Sequence, residues 1–280
     1  MKSNANSEAQ AIKEVVKAKY AAIAQSQGEE DCGCGPTCCS PSDLGEVSEE
    51  VAKAGAAEIE MAAPLVAGYE KMEGYLAESD LGLGCGLPTQ FAQLKPGDTV
   101  LDLGSGAGND CFIARAQVGA EGKVIGVDMT PEMINKARKN AEKAGFENVE
   151  FMLGEIEALP LSEGIIDVVV SNCVMNLVPD KEKAFAETYR VLKSGGHFSI
   201  SDIVVEGSPP ESLRKDMELY VGCVSGALEI NAYLKTIEDQ GFQNLQIQKK
   251  RKIELPQALK ERYPSSEEYG IYSITVFAQK

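Results

Sequence analysis

A chain of 280 residues is long enough for one sizeable core with or without smaller lobes, and 44% apolar residues is ordinary for a globular protein. Its 27 basic and 43 acidic residues leave a net charge of −16, which repels phosphate backbones and anionic lipid surfaces and argues against nucleic acid or a membrane as partner. No apolar run approaches the roughly 18 residues of a transmembrane helix, and the polar start MKSNANSEAQ has no apolar signal region, so a cytoplasmic protein is expected.

Residues 8–25 set Ile12, Val15, Val16, Tyr20 and Ile23 on one face at helical spacing. The stretch DCGCGPTCCSPSD, residues 31–43, has no apolar period and reads as a loop. Residues 46–78, rich in Ala and Glu, read as helical. From residue 98 a regular alternation begins. Strands are expected at 99–103, 123–127, 149–153, 165–171 and 197–202, with helices between them at 110–118, after Thr130, and at 181–192. Thr130 is placed as the cap of its helix, Pro131 at its first position and Gly145 just past its end. Gly195 and Gly196 are read as closing the helix at 181–192. Past residue 207 the pattern turns helical to about 240, then two strands follow near 244–251 and 270–278. Strands alternating with helices predict an α/β fold with a mostly parallel sheet covered on both faces.

The first core strand runs into LDLGSGAGND, residues 101–110. Its glycines permit a tight turn and close approach of a ligand to the backbone, at the N-terminus of the next helix. The second strand ends at Asp128, about twenty residues further on, where a carboxylate can take both hydroxyls of a ribose. Asp102 is placed to receive the ammonium of a bound amino acid. The same glycines would also serve a turn that only packs a helix on a strand. A nicotinamide dehydrogenase is disfavoured by the spacing, which is G-x-G-x-G rather than G-x-G-x-x-G.

VLDLGSGAGND resembles motif I of the seven-stranded, Rossmann-like class I methyltransferases, which use S-adenosylmethionine. VIGVDMTPEMINKAR looks like the segment after it, GEIEALP like the turn after strand three, and RVLKSGGHFSISD like the lead into strand five. The resemblance implies a cofactor site at Asp102, Gly104, Gly106, Gly108, Asp128, Met129, Glu155, Ile156 and Asn172. In it Asp128 holds the ribose, Met129 and Ile156 flank the adenine, and Glu155 meets the adenine amine.

Eight cysteines in a chain of this size suggest metal or thiol chemistry rather than a disulfide framework. Cys85, Cys173 and Cys223 lie far apart. Cys173 falls at the carboxyl end of strand four, the edge at which open α/β sheets bind ligands. Three thiolates on one centre suit a soft ion that keeps a position free, yet from chemistry alone each cysteine reads more readily as a small buried hydrophobe. Cys111 is read as a packed core thiol, and His197, the only histidine, as structural, which leaves no His-based triad.

The whole chain looks like the arsenite methyltransferases, microbial members in particular. The stretches that carry the likeness are GYLAESDLGLGCGLPT, VLDLGSGAGNDCFIARAQVG, KVIGVDMTPEMI, VEFMLGEIEALPL, VVVSNCVMNLVPDK and DMELYVGCVSGAL, which span 74–228. The resemblance implies three parts: an N-terminal helix and Cys-rich loop over 1–60, a cofactor-binding core over 61–205, and a metalloid-binding helical region with C-terminal strands over 206–280. It implies methylation of arsenite held by Cys85, Cys173 and Cys223, with a redox thiol among Cys32, Cys34, Cys38 and Cys39. A thiol reductant such as thioredoxin or a glutathione-like molecule is implied as partner, and a monomer is the default. Two alternatives stay open. One is a quinone- or sterol-type carbon methyltransferase, which would need no thiols. The other is a non-catalytic metalloid scavenger built on the cysteine cluster.

Overall fold

The computed structural model describes residues 2–26, 68–214, 226–254, 261–263 and 269–280. Cys223 and the four cysteines of the N-terminal loop lie outside the described residues, as do 46–67 of the expected Ala/Glu-rich helices.

Seven strands form one sheet in the order β3-β2-β1-β4-β5-β7-β6. They are β1 (Thr99–Leu103), β2 (Lys123–Asp128), β3 (Val149–Leu153), β4 (Ile166–Asn172), β5 (Leu192–Gly207), β6 (Gln243–Ile253) and β7 (Tyr269–Gln279). The first five are parallel to their neighbours among themselves, and β7 inserts antiparallel between β5 and β6. The runs TVLDL, KVIGVD and IDVVVSN are nearly continuous apolar stretches because helices cover both faces of these strands. Burying each of Leu101, Leu103, Val169 and Val170 contributes about 1.5–3 kcal/mol. At the sheet margin β6 carries Lys249, Lys250, Arg251 and Lys252 on a mostly exposed strand, the charge pattern that discourages edge-to-edge pairing.

The helices are α1 (Lys2–Ser26), α2 (Pro88–Phe91), α3 (Asn109–Val118), α4 (Pro131–Ala144), α5 (Lys181–Val191), α6 (Glu211–Arg214) and α7 (Ile230–Glu238). In α4, Met133, Ile134, Ala137 and Ala141 fall on one face of the helix, at i, i+1, i+4 and i+8, and are buried together. Gly145 ends the helix in the left-handed conformation at φ 69. α1 lies against α4, where the Lys136 ammonium donates to the Ala24 carbonyl at 3.3 Å.

Several local expectations are corrected. Val15 does not share the buried face of α1. It is 47% exposed while Val16 is buried, because Val15 lies about 100° around the helix from Val16. Residues 68–79 form two short 3₁₀ turns, Tyr69–Lys71 and Ala77–Ser79, rather than a helix. Thr130 stands at the N-cap of α4, but its hydroxyl does not cap the helix and is directed to Asp128. Gly195 and Gly196 do not close a helix. They lie in an irregular stretch of β5, where pairing with β4 jumps from Ile166↔Leu192 to Val168↔His197. The helical reading of 209–240 is interrupted, since residues 226–229 are not helical.

Candidate active site

A cleft opens beyond the carboxyl ends of β1, β2 and β4. The strand order reverses between β1 and β4, and that crevice is the usual ligand site of an open α/β sheet. All three loop glycines have positive φ, at 70, 50 and 99 for Gly104, Gly106 and Gly108. Gly104 is required twice over, because a Cβ there would come within 2.5 Å of Val174. A Cβ on Gly106 would meet nothing within 4 Å, so the loop presents open backbone at that point. Asp128 ties the loop to the end of β2. It accepts the Gly106 N–H at 3.0 Å and the Thr130 N–H at 2.8 Å, and burial raises its carboxyl above the usual range. Ser105 Oγ is buried with no hydrogen-bond partner among the described residues.

Behind the loop lies a buried network that the sequence reading did not anticipate. The Tyr69 hydroxyl donates to Asp110 at 2.7 Å. Asn172 Nδ2 donates to the Tyr69 oxygen and to Asp110, Thr89 donates to Asp110 at 3.4 Å, and the Cys111 thiol donates to Asp102 at 3.3 Å. Cys111 is thus a packed core thiol, as expected, with a polar partner. His197 likewise has a structural contact, its Nε2 lying 2.7 Å from the Ala92 carbonyl. Burial, then the charge of Asp110, pushes Asp102 well above the carboxylate range. Burial pushes Asp110 up to about 6. Among the described residues, none of the hydrogen-bond partners of these two carboxyls is cationic. A ligand bringing positive charge to this end of the cleft would relieve their repulsion. The α-ammonium and sulfonium of S-adenosylmethionine bring such charge, so the donor set fits that cofactor.

The far side of the cleft is closed by α1, which contributes Lys13, Val16 and Tyr20. Lys13 Nζ bridges Glu155 Oε2 at 2.7 Å and Glu157 Oε2 at 2.6 Å. Met129 and Ile156 line the same wall, and Glu155 reaches it already paired with Lys13.

The thiols lie at the other end. Cys173 lines the cleft just after β4. Its φ is 61, a left-handed backbone uncommon for a residue with a Cβ, held by its N–H donating to the Ser201 carbonyl at 2.8 Å. Cys85 comes from the loop before α2. Asn172 Oδ1 accepts the N–H groups of Cys85 and Gly86 at 3.0 and 3.2 Å, and its Nδ2 donates to the Gly86 carbonyl at 2.9 Å. Ser273 Oγ fastens the Cys85 carbonyl from β7 at 2.6 Å. A Cβ on Gly86 would come within 2.5 Å of Ser201 Oγ, so this loop packs on β5 only because glycine is there. As a result the sulfurs of Cys85 and Cys173 and a carboxylate oxygen of Asp202 all lie within 4.8 Å of one another. Both cysteines are thiols rather than disulfides. Burial pushes Asp202 up to about 7. Two of the three separated cysteines of the sequence reading are therefore brought together. Asn172, expected beside the cofactor, lines the cleft but directs its polar atoms to the Cys85 loop, Tyr69 and Asp110. Asp202 was visible as a lone acid in the apolar strand HFSISDIVV, a pattern that marks a candidate buried charge. Tyr69 and Lys13 had no such signal.

Residues 94–260 match the family model described as a methyltransferase domain. The crystal structure of an arsenic (III) S-adenosylmethionine methyltransferase from Chlamydomonas reinhardtii is 34% identical, with a TM-score of 0.64 over 80% of this chain and 73% of that one. The chain belongs to the arsenite methyltransferase family. Among the curated members of that family, the arsenite methyltransferase of Halobacterium salinarum is 46% identical over 84% of this chain and 58% of its own length. The human arsenite methyltransferase is 44% identical over 46% of this chain and 37% of its own. The chain thus spans little more than half of the archaeal family member it matches. The Bacillus subtilis YcgJ structure, 21% identical with a TM-score of 0.55, shares the fold alone. The seven-stranded class I architecture expected from the sequence is the one observed. Among the described residues no helix is long and apolar enough to cross a membrane.

Proposed function

We propose that the chain transfers a methyl group from S-adenosylmethionine to trivalent arsenic held by the thiolates of Cys85, Cys173 and Cys223. The observation that carries this reading is the meeting of Cys85 and Cys173 at the end of the glycine-loop cleft. A carbon methyltransferase acting on a large apolar acceptor has no use for two adjoining buried thiols there, and a scavenger has no use for an intact glycine loop.

Arsenite at neutral pH is As(OH)3, uncharged, so a net charge of −16 does not hinder its entry. Each thiol displaces one hydroxyl, and the thiol proton leaves with it as water. Three sulfurs leave the arsenic lone pair pointing away from them. The cofactor supplies a methyl group already activated on a sulfonium, so no general base is required. The work of the protein is placement. Asp128 and the glycine loop hold the ribose side, Asp102 and Asp110 favour the cationic end, and Cys173 sets the arsenic at the cleft. Holding two reactants about 3–3.5 Å apart and in line removes much of the entropic barrier. Methylation formally raises arsenic from trivalent to pentavalent. Two thiols, oxidised together to a disulfide, return the two electrons. Cysteines among Cys32, Cys34, Cys38 and Cys39 supply them, recharged by a thioredoxin- or glutathione-type reductant. A cytoplasmic location, where thiols stay reduced, suits this chemistry.

The test is anaerobic incubation with S-adenosylmethionine, arsenite and excess thiol, with arsenic species separated by chromatography and detected by mass. Methylated arsenic is expected from the native chain and none from Cys173→Ser, which should still bind the cofactor. Full activity in Cys173→Ser overturns the thiolate model, and unmethylated arsenite with bound cofactor redirects the search to a carbon, oxygen or nitrogen acceptor.

A further inference from the structure

The two-thiol pair does not stand alone. Asp202 on β5 brings a carboxylate oxygen within 4.8 Å of both sulfurs, and this is a grouping of three ligand atoms from three separate parts of the chain. All three residues are buried. Asp202 is held firmly: Oδ1 accepts the Ile203 N–H at 2.9 Å, Oδ2 accepts the Tyr233 hydroxyl at 3.3 Å, and the backbone N–H of Asn176 also donates to it. A carboxylate has about four acceptor positions, so these donors do not exhaust it.

We propose that Asp202 is a binding residue for the arsenic substrate, accepting a hydrogen bond from the hydroxyl that remains on arsenic once Cys85 and Cys173 have bound it. The inference rests on the reading of this pair as an arsenic site. Loading two thiols follows As(OH)3 + 2 RSH → (RS)2As–OH + 2 H2O. Two As–O bonds break, two As–S bonds form, both thiol protons leave in water, and no electrons change hands. The product carries one hydroxyl beside three buried side chains. A buried hydroxyl donor without an acceptor is costly, and a carboxylate acceptor makes the stronger, charge-assisted bond. Asp202 is the acidic side chain grouped with both sulfurs among the described residues. It therefore holds the dithiolate intermediate until a third sulfur displaces the last hydroxyl as water. It also favours substrates that still carry a hydroxyl at that stage over those in which a carbon group occupies the place.

Full-length Cys223→Ser protein stops loading at two thiols and is the parent for the test. Two probes are compared at pH 8 by equilibrium dialysis with arsenic read by mass spectrometry, in a phosphine reductant rather than a competing thiol. Arsenite keeps one hydroxyl after binding two sulfurs, whereas phenylarsonous acid, C6H5As(OH)2, keeps none. Adding Asp202→Asn, which is close in size, should weaken arsenite about tenfold, the difference between a charge-assisted and a neutral hydrogen bond. Phenylarsonous acid should change by no more than about twofold, which also certifies the fold. Should the amide unfold the chain, Asp202→Ser repeats the comparison. Equal losses for both probes would make Asp202 only a support for the thiols and overturn the inference, as would no loss for either. Failure of the Asp202-containing parent to bind phenylarsonous acid would instead overturn the reading of Cys85 and Cys173 as an arsenic site.

Discussion

At residue 172 a single amide side chain serves three parts of the molecule. Asn172 accepts from two backbone N–H groups of the Cys85 loop and donates to the Gly86 carbonyl, while its remaining contacts reach Tyr69 and Asp110 beside the cofactor end. Asn172→Ala would orphan those N–H groups, at about 1–3 kcal/mol for each that stays buried. Arsenic affinity is expected to fall at least tenfold, read by dialysis, with a smaller loss of cofactor affinity. Equal loss of both would place Asn172 on the cofactor instead. Asp128 shows the contrasting case. Asp128→Ala removes the acceptor that braces Gly106 and faces the cleft, and cofactor affinity should drop roughly ten- to hundredfold by calorimetry, in line with hydrogen bonds to a charged group. Arsenite binding should be untouched, since Asp128 is not among the ligand atoms grouped at Cys85 and Cys173.

Among the elements, α1 is the one whose role depends most on its contacts. Alone it is a helix with few apolar positions, and its place over the cleft depends on Val16 packing in the cluster that contains Cys85 and Cys173, and on Lys13 between Glu155 and Glu157. The Lys13–Glu155 pair is partly exposed and contributes at most about 1 kcal/mol to stability. Its effect on the cleft should exceed that. Lys13→Ala also leaves the buried Glu157 carboxylate unpaired, so it is expected to lower the melting temperature while raising the KM for cofactor several-fold and speeding its release in stopped-flow. An unchanged KM would mean that α1 packs on α4 without covering the ligand. At the opposite margin β7 does comparable work, since Ser273 reaches Cys85 from the strand between β5 and β6.

For the molecule as a whole, buried acids set an unusual pH response, Asp110 and Asp202 among them alongside Asp102. Asp110 is pushed up to about 6 and Asp202 to about 7, in each case chiefly by burial. In the unfolded chain both titrate near 3.8. Between roughly pH 4 and each folded value the native state therefore binds more protons than the unfolded state. Stability from these groups falls as pH rises through that window, by up to about 1.4 kcal/mol per pH unit for each proton taken up on folding. Carboxylates shifted the other way, such as Asp167 and Glu187, lose their contribution as pH falls below about their unfolded values of 3.8 and 4.5, which lie under pH 5.5. The melting temperature should accordingly be higher at pH 5.5 than at pH 8. The difference should shrink in the Asp110→Asn, Asp202→Asn double variant, in which neither position titrates. A variant with the same pH slope as the native chain would show that these carboxyls ionise as freely folded as unfolded.

Local patterns were enough for the alternating core and for the residues that face the cleft along it. TVLDL, the glycine loop and Asp128 are contiguous in the chain, and their hydrophobic period, turn chemistry and spacing are set by neighbours in sequence. The sequence by itself also marked Cys85, Cys173 and Cys223 by their likeness to a known family. It could not place Val15, end the turns at 68–79, or find the irregular stretch of β5 at Gly195 and Gly196, because those depend on which surface each segment meets. Only the tertiary structure decided that Asn172 clamps the Cys85 loop, that Lys13 crosses to Glu155 and Glu157, and that Asp202 stands beside two sulfurs. These contacts join groups far apart in sequence, and no periodicity records them. They exist because packing the sheet closes β4, β5 and the Cys85 loop onto one another and leaves each buried polar atom to find its partner there.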